Sequence, residues 1–142
     1  MFMASCKPVV LYIEDEPTDV IFLRRALRKA GLRVDLFTVP DGVYAIDWLL
    51  GKPPFDDRRV CPMPNLIVTD LKMPVRDGFE VLDFVRSHRE FRDIPILVYS
   101  TSSHDEDKAR SMAMGATAYL TKTDSCAELL DVLTNCVEPV EA

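Results

Sequence analysis

Five short runs of apolar, largely β-branched residues recur along this chain, and a segment with helical spacing follows each one. This alternation limits the possible folds more than any other feature. The runs are Val9-Val10-Leu11-Tyr12-Ile13, Val34 to Val39, Leu66-Ile67-Val68-Thr69, Ile94 to Tyr99 and Thr117 to Thr121. Each has the length of a strand rather than of a buried helix. The first helical segment, Pro17 to Ala30, carries Val20, Leu23, Leu27 and Ala30 in phase. Pro17 suits its first turn and Gly31 its stop. Asp41 to Leu50 follows, with Val43, Ile46 and Leu50 on one face. Phe79, Leu82, Val85 and Arg86 lie on a third helix that ends near His88, and Asp105 to Met114 forms a fourth that stops at Gly115. Leu129, Leu130, Leu133, Cys136 and Val137 line one side of a fifth. Parallel neighbours need a crossover between them, so strands separated by helices imply a doubly wound α/β fold with a five-stranded parallel sheet. Near-continuous apolar strands fit burial on both faces.

The length of 142 residues suits one domain, and an apolar share of 48% suffices for a core without staples. The net charge of -6 argues against a nucleic-acid partner, which would need a basic patch. No apolar run reaches the ~20 residues that span a bilayer, and the start lacks a signal-peptide pattern, so a cytoplasmic protein with no membrane partner is expected. Cys6, Cys61, Cys126 and Cys136 form no C-x-x-C pair and have no histidine at metal spacing. They read as reduced cysteines of a cytosolic chain. Residues 51–64 hold Gly51, Pro53, Pro54, Pro62 and Pro64 among charges and read as an irregular connection, long enough to serve as a contact surface.

In an open parallel sheet, ligands bind beyond the carboxyl ends of the strands. Glu14, Asp15 and Glu16 follow the first strand, and Asp70 ends the third. Ser100, Thr101, Ser102 and Ser103 follow the fourth, and Lys122 follows the fifth. Each has an ordinary explanation: an Asp after a strand can be a turn former, the acids can cap the first helix, and Ser102 or Ser103 can cap the fourth. The combination weakens those explanations. Clustered carboxylates raise one another's pKa, and a compact site keeps them ionised by adding positive charge. Mg²⁺ with Lys122 would supply it, since Mg²⁺ prefers carboxylate oxygen and water. Such a site suits phosphoryl transfer to the carboxylate of Asp70, with the metal, the lysine and a hydroxyl stabilising the equatorial oxygens. His88 and His104 are expected to lie off the site and to face solvent.

From about Lys7 to Val137 the chain resembles the receiver domains of two-component response regulators. The matching pieces are Ile13-Glu14-Asp15-Glu16, Thr69-Asp70-Leu71-Lys72-Met73-Pro74 leading to Asp77-Gly78, Tyr99-Ser100-Thr101, and Gly115-Ala116 leading to Tyr119 and Lys122. The resemblance implies a flavodoxin-like strand order, 2-1-3-4-5, and a receiver domain over 7–137 with short tails at 1–6 and 138–142. It makes Asp70 the phosphoacceptor of a sensor histidine kinase. Asp15 and Asp70 would bind Mg²⁺, with Glu14 acting mostly through water and the backbone carbonyl of Lys72 as a further ligand. Ser100 would close on the phosphoryl group, Lys122 would pair with its oxygens, and Tyr119 would turn inward as Ser100 moves. Met73-Pro74 and Asp77-Gly78 would shape the loop after Asp70, and Lys72 and Ser102 would flank the water that hydrolyses the acyl phosphate. The long 51–64 connection, the Glu14-Asp15-Glu16-Pro17 start and the Ser/Thr run narrow the resemblance to stand-alone receivers that partner phytochrome-type histidine kinases. Two departures stand out. Thr123 replaces the proline that usually follows the lysine, and without proline a cis peptide costs ~3–4 kcal/mol, so a trans or strained peptide is expected there. Glu14 replaces the commoner Asp.

Only about five residues follow the receiver match in this sequence, so protein contact is the expected output, through the fourth helix, fifth strand and fifth helix. A homodimer through that face is an expectation drawn from the apolar last helix, a content that core packing explains equally well. Catalysis is expected only of the chain's own phosphorylation and slow autodephosphorylation. An aspartyl-nucleophile phosphatase would want a second acid two residues after Asp70, where Lys72 stands. A flavodoxin-like cofactor binder would want a phosphate-cradling loop where the three acids stand. An adaptor that is never phosphorylated would not need the full acid, hydroxyl and lysine set.

Overall fold

The computed structural model describes residues 7–122 and 126–136. The elements alternate throughout: β1 (Val9–Ile13), α1 (Pro17–Ala30), β2 (Asp35–Val39), α2 (Gly42–Leu50), β3 (Leu66–Thr69), α3 (Gly78–Ser87), β4 (Ile96–Ser100), α4 (Asp105–Ala113), β5 (Ala118–Thr121) and α5 (Ala127–Cys136). The strands form one parallel sheet in the order β2-β1-β3-β4-β5. This is the doubly wound order that the resemblance implied, with β1, β3 and β4 inside and almost wholly buried.

Successive strand side chains point to opposite faces, so each strand feeds two cores. Leu11 and Ile13 of β1, Ile67 of β3 and Ile96 and Val98 of β4 join Trp48 and Leu49 of α2 and Val81, Leu82 and Val85 of α3. Val10, Tyr12, Val68, Leu97 and Tyr99 join Leu23 and Leu27 of α1 and Leu129 and Leu133 of α5 on the other side. Each fully buried large side chain contributes about 1.5–3 kcal/mol through removal from water. Gly31 and Gly51 close α1 and α2 in the left-handed conformation that C-caps favour.

Several sequence expectations need correction. The strand read as Ile94 to Tyr99 pairs only from Ile96, and Ser100 belongs to it rather than following it. The Ile94 amide instead donates to the Phe91 carbonyl, which holds it in the preceding turn. Val34 and Thr117 likewise lie one residue outside their strands. On α2 the buried residues are Gly42, Ala45, Ile46, Trp48 and Leu49, whereas Leu50 is exposed and Val43 half-buried. This helix is apolar nearly all round, so spacing alone could not choose its inner face. Ala30, the last residue of α1, is exposed. His88 is half-buried rather than solvent-facing: its Nδ1 lies 2.7 Å from the Phe84 carbonyl and its ring packs on Phe84. His104 is exposed. The Lys122–Thr123 peptide, both tails, Cys6 and Val137 lie outside the described residues.

Candidate functional site

The carboxyl ends of β1, β3 and β5 bring Glu14, Asp70 and Lys122 together. Each arrives for a local reason. β1 ends at Ile13, and the Glu14 amide continues the ladder to the Val39 carbonyl, which turns the Glu14 side chain into the rim. Glu14 Oε2 then accepts the Glu16 amide at 3.1 Å and braces the turn into α1. Asp70 follows β3, its amide bonded to the Ile13 carbonyl. The loop after it folds back so closely that a Cβ on Gly78 would fall 2.2 Å from the Asp70 carbonyl oxygen. Only glycine fits there. Asp77 caps α3 and shares a capping box with Glu80, so its carboxylate is committed to the helix start. Within this loop Val75 holds a left-handed φ of 68° while 80% exposed, which is strain beside the site.

Lys122 is the electrostatic centre. Its Nζ donates to Glu14 Oε1 at 2.5 Å, to Asp19 Oδ2 at 2.8 Å and to Asp70 Oδ2 at 3.1 Å. Three carboxylates thus use all three ammonium hydrogens. Burial pulls the Lys122 ammonium down, but the hydrogen bonds it donates to Asp19 and Glu14 and the Asp70 charge carry it above its ordinary value. Glu14 is buried, and desolvation lifts its carboxyl to about 7 against the pull of Lys122. Tyr12 lies beneath, its hydroxyl 3.4 Å from Glu14 Oε1, and burial followed by the Glu14 charge pushes its phenol up. Asp70 Oδ1 accepts the Leu71 amide at 2.7 Å, which fixes the carboxylate plane and leaves Oδ2 toward the lysine.

Glu14, Asp15 and Asp70 each offer a carboxylate oxygen, and the three oxygens lie within 4.8 Å of one another. An all-oxygen donor set at one spot fits a hard divalent cation. Asp15 is exposed and opens into a cleft of about 510 Å³ shared with Lys72, Met73, Pro74 and Arg110. The Lys72 side chain is exposed, and its amide lies 3.5 Å from Asp70 Oδ1.

Ser100 and Tyr119 join the β4–α4 loop rather than the carboxylate cluster. The buried Ser100 hydroxyl accepts the Ser102 amide at 3.2 Å. The half-buried Tyr119 donates its hydroxyl to the Ser102 carbonyl at 2.7 Å. Ser102 spends its own hydroxyl on Asp107 Oδ2 at 2.6 Å, at the start of α4. One residue of the cluster went unread in the sequence, namely Asp19. Its signal was its place four residues after Asp15 in the first turn of a helix that starts at the same rim.

Residues 10–134 match the family model described as the response regulator receiver domain. Response regulator Rcp1 from Synechocystis sp. is 29% identical over 125 residues, which cover 88% of this chain and 83% of Rcp1. A crystal structure of response regulator RPA3017, in red light signalling of R. palustris, superposes with a TM-score of 0.82 at 30% identity, covering 90% of each chain. The Mn²⁺-bound form of Rcp1 superposes with a TM-score of 0.77 at 28% identity, again over 90% of each chain. Among the described residues no helix is long and apolar enough to cross a membrane.

Proposed function

The chain belongs to the response regulator receiver domain family, and on that premise we propose that Asp70 is its phosphoacceptor. Receiver domains of this family bind a divalent metal and are phosphorylated by histidine kinases. The observation that carries the reading is the 3.1 Å contact from Lys122 Nζ to Asp70 Oδ2 beside an oxygen-only acid trio. A carboxylate oxygen of Asp70 attacks the phosphorus of a phosphohistidine. The O–P bond forms, the P–N bond breaks, and the imidazole leaves with the bonding pair and takes up a proton.

Glu14, Asp15, Asp70 and the Lys72 carbonyl would hold the ion, with Mg²⁺ the proposed occupant. When bound, it neutralises charge on the phosphoryl oxygens and on the acids. The rest falls to the chain's own groups. The Leu71 amide holds the Asp70 carboxylate in one plane. Lys122 already has its ammonium beside Asp70 and needs little movement to meet a phosphoryl oxygen. The Ser100 hydroxyl is an acceptor now, so its proton is free to point at the phosphoryl group when the loop moves. Because Tyr119 hangs on the Ser102 carbonyl, a shift of that loop carries the ring with it. Phosphorylation thereby biases an existing equilibrium of the α4–β5–α5 face, and the signal leaves by protein contact. The receiver unit runs over 7–137, and its catalysis is confined to its own phosphorylation and hydrolysis. The similarity to the phosphorylated cyanobacterial phytochrome response regulator RcpA supports a phytochrome-type kinase as donor.

The test is incubation with phosphoramidate and Mg²⁺, followed by intact mass measurement. Wild type should gain one phosphoryl group that is stable in acid and lost in base. Asp70→Asn should not label. Equal labelling of Asp70→Asn and wild type would sink the proposal.

A further inference from the structure

Lys122 has three anionic partners, and they are not equivalent. Glu14 and Asp70 also belong to the acid trio whose oxygens converge at one spot. Asp70 is, in addition, the group that becomes an acyl phosphate in the reading above, on which this inference rests. Both therefore have a competing task whenever the site works. Asp19 lies outside the trio. Its Oδ2 is 2.8 Å from Nζ, closer than Asp70, and its side chain is 35% exposed, so it stays solvated while bonded. It stands in the first turn of α1, a helix pinned to the sheet by the buried Leu23 and Leu27. The bond is therefore anchored in a helix that packs on the sheet.

We propose that Asp19 is a positioning residue that keeps Lys122 aimed at Asp70 while the other two carboxylates change partners. A long flexible lysine loses rotamer freedom when fixed in one direction. An anchor that persists through the reaction spares the transition state that ordering.

The experiment is a double-mutant cycle on the full chain, with wild type, Asp19→Asn, Lys122→Met and the double variant. Each is labelled with phosphoramidate and Mg²⁺, and Mg²⁺ affinity is measured separately by titration. Asp19→Asn should slow labelling about five- to tenfold, the scale of one lost charge-assisted contact. Its Mg²⁺ affinity should stay within about threefold of wild type, since Asp19 is not in the trio. In the Lys122→Met background the same change should have no further effect, because its influence runs through the lysine. A merely structural role would slow both backgrounds alike, and that result would overturn the inference. So would a silent Asp19→Asn in wild type. Asp70→Asn runs alongside: if it labels normally the underlying reading fails, whereas an unlabelled Asp70→Asn with a silent Asp19→Asn condemns this inference alone.

Discussion

Each end of the sheet carries a half-buried cation, and the two behave differently because their partners differ. At the carboxyl end, Lys122 meets three carboxylates. At the amino end, Arg86 of α3 meets three backbone carbonyls: Nε donates to Gly115 at 2.9 Å, and Nη1 to Arg92 at 2.8 Å and Ile94 at 2.7 Å. Those carbonyls belong to the turns that lead into β4 and β5. Arg86 therefore ties two connections to a helix, and its planar fork suits fixed acceptors in fixed directions. Carbonyls cannot be exchanged for anything else, so the contact is purely structural. The carboxylates around Lys122 can be phosphorylated or drawn to a metal, and a compact ammonium tolerates such exchange. Burial lowers the Arg86 guanidinium, while the carboxylates more than offset the same effect at Lys122. The comparison teaches that exchangeable acceptors make a buried cation functional, and permanent ones make it a brace.

The strongest way to break this comparison is to remove both cations in turn. Lys122→Met should slow phosphoramidate labelling about a hundredfold, equivalent to ~2.7 kcal/mol of lost transition-state stabilisation. Its stability should change little near pH 6, because Glu14 can relieve the exposed repulsion by keeping its proton. A large loss of stability without loss of labelling would make Lys122 a brace after all. Arg86→Met should do the reverse. It leaves partly buried carbonyls without a donor and should cost about 2 kcal/mol in urea unfolding. The folded fraction should label at the wild-type rate, and slowed labelling would mean that the two ends are coupled.

The pH dependence of stability sharpens the electrostatic side. Burial raises the Glu14 carboxyl from 4.5 to about 7 in the folded chain. The folded state then binds more protons than the unfolded state between those values. Stability of the metal-free protein should therefore fall as pH rises from 4.5 to 7 and level off above. Urea unfolding in EDTA across this window, wild type against Glu14→Gln, isolates the contribution. Glu14→Gln should be flatter, and Mg²⁺ should flatten wild type, since a dication selects the ionised carboxyl. Equal slopes in wild type and Glu14→Gln would show that burial does not set the Glu14 proton.

Much of this protein follows from sequence because the controlling physics is local. Strand-length apolar runs, in-phase helices, Pro17 and Gly31 dictate the alternation of elements, and parallel pairing follows because each crossover needs a helix. Asp70, Glu14, Asp15, Ser100 and Lys122 were legible as strand-end residues, since loops beyond the carboxyl ends meet at one rim. What needed the tertiary structure was every choice among equivalent local options. α2 is apolar on several faces, and only packing against Phe37 and α3 selects Trp48 and Leu49 over Leu50. Ile94 and Ile96 are equally β-prone, and the bond from Ile94 to Phe91 decides where β4 begins. Asp19 is an ordinary first-turn acid of a helix by its sequence, and Arg86 only a residue of the third helix beside Val85. Their roles arise from bonds spanning 103 and 29 residues of chain. Sequence determined which groups stand at each strand end, because backbone sterics and apolar period act over a few residues. Only the folded chain decided which charges touch, because hydrogen bonds form over about 3 Å of space regardless of separation along the chain.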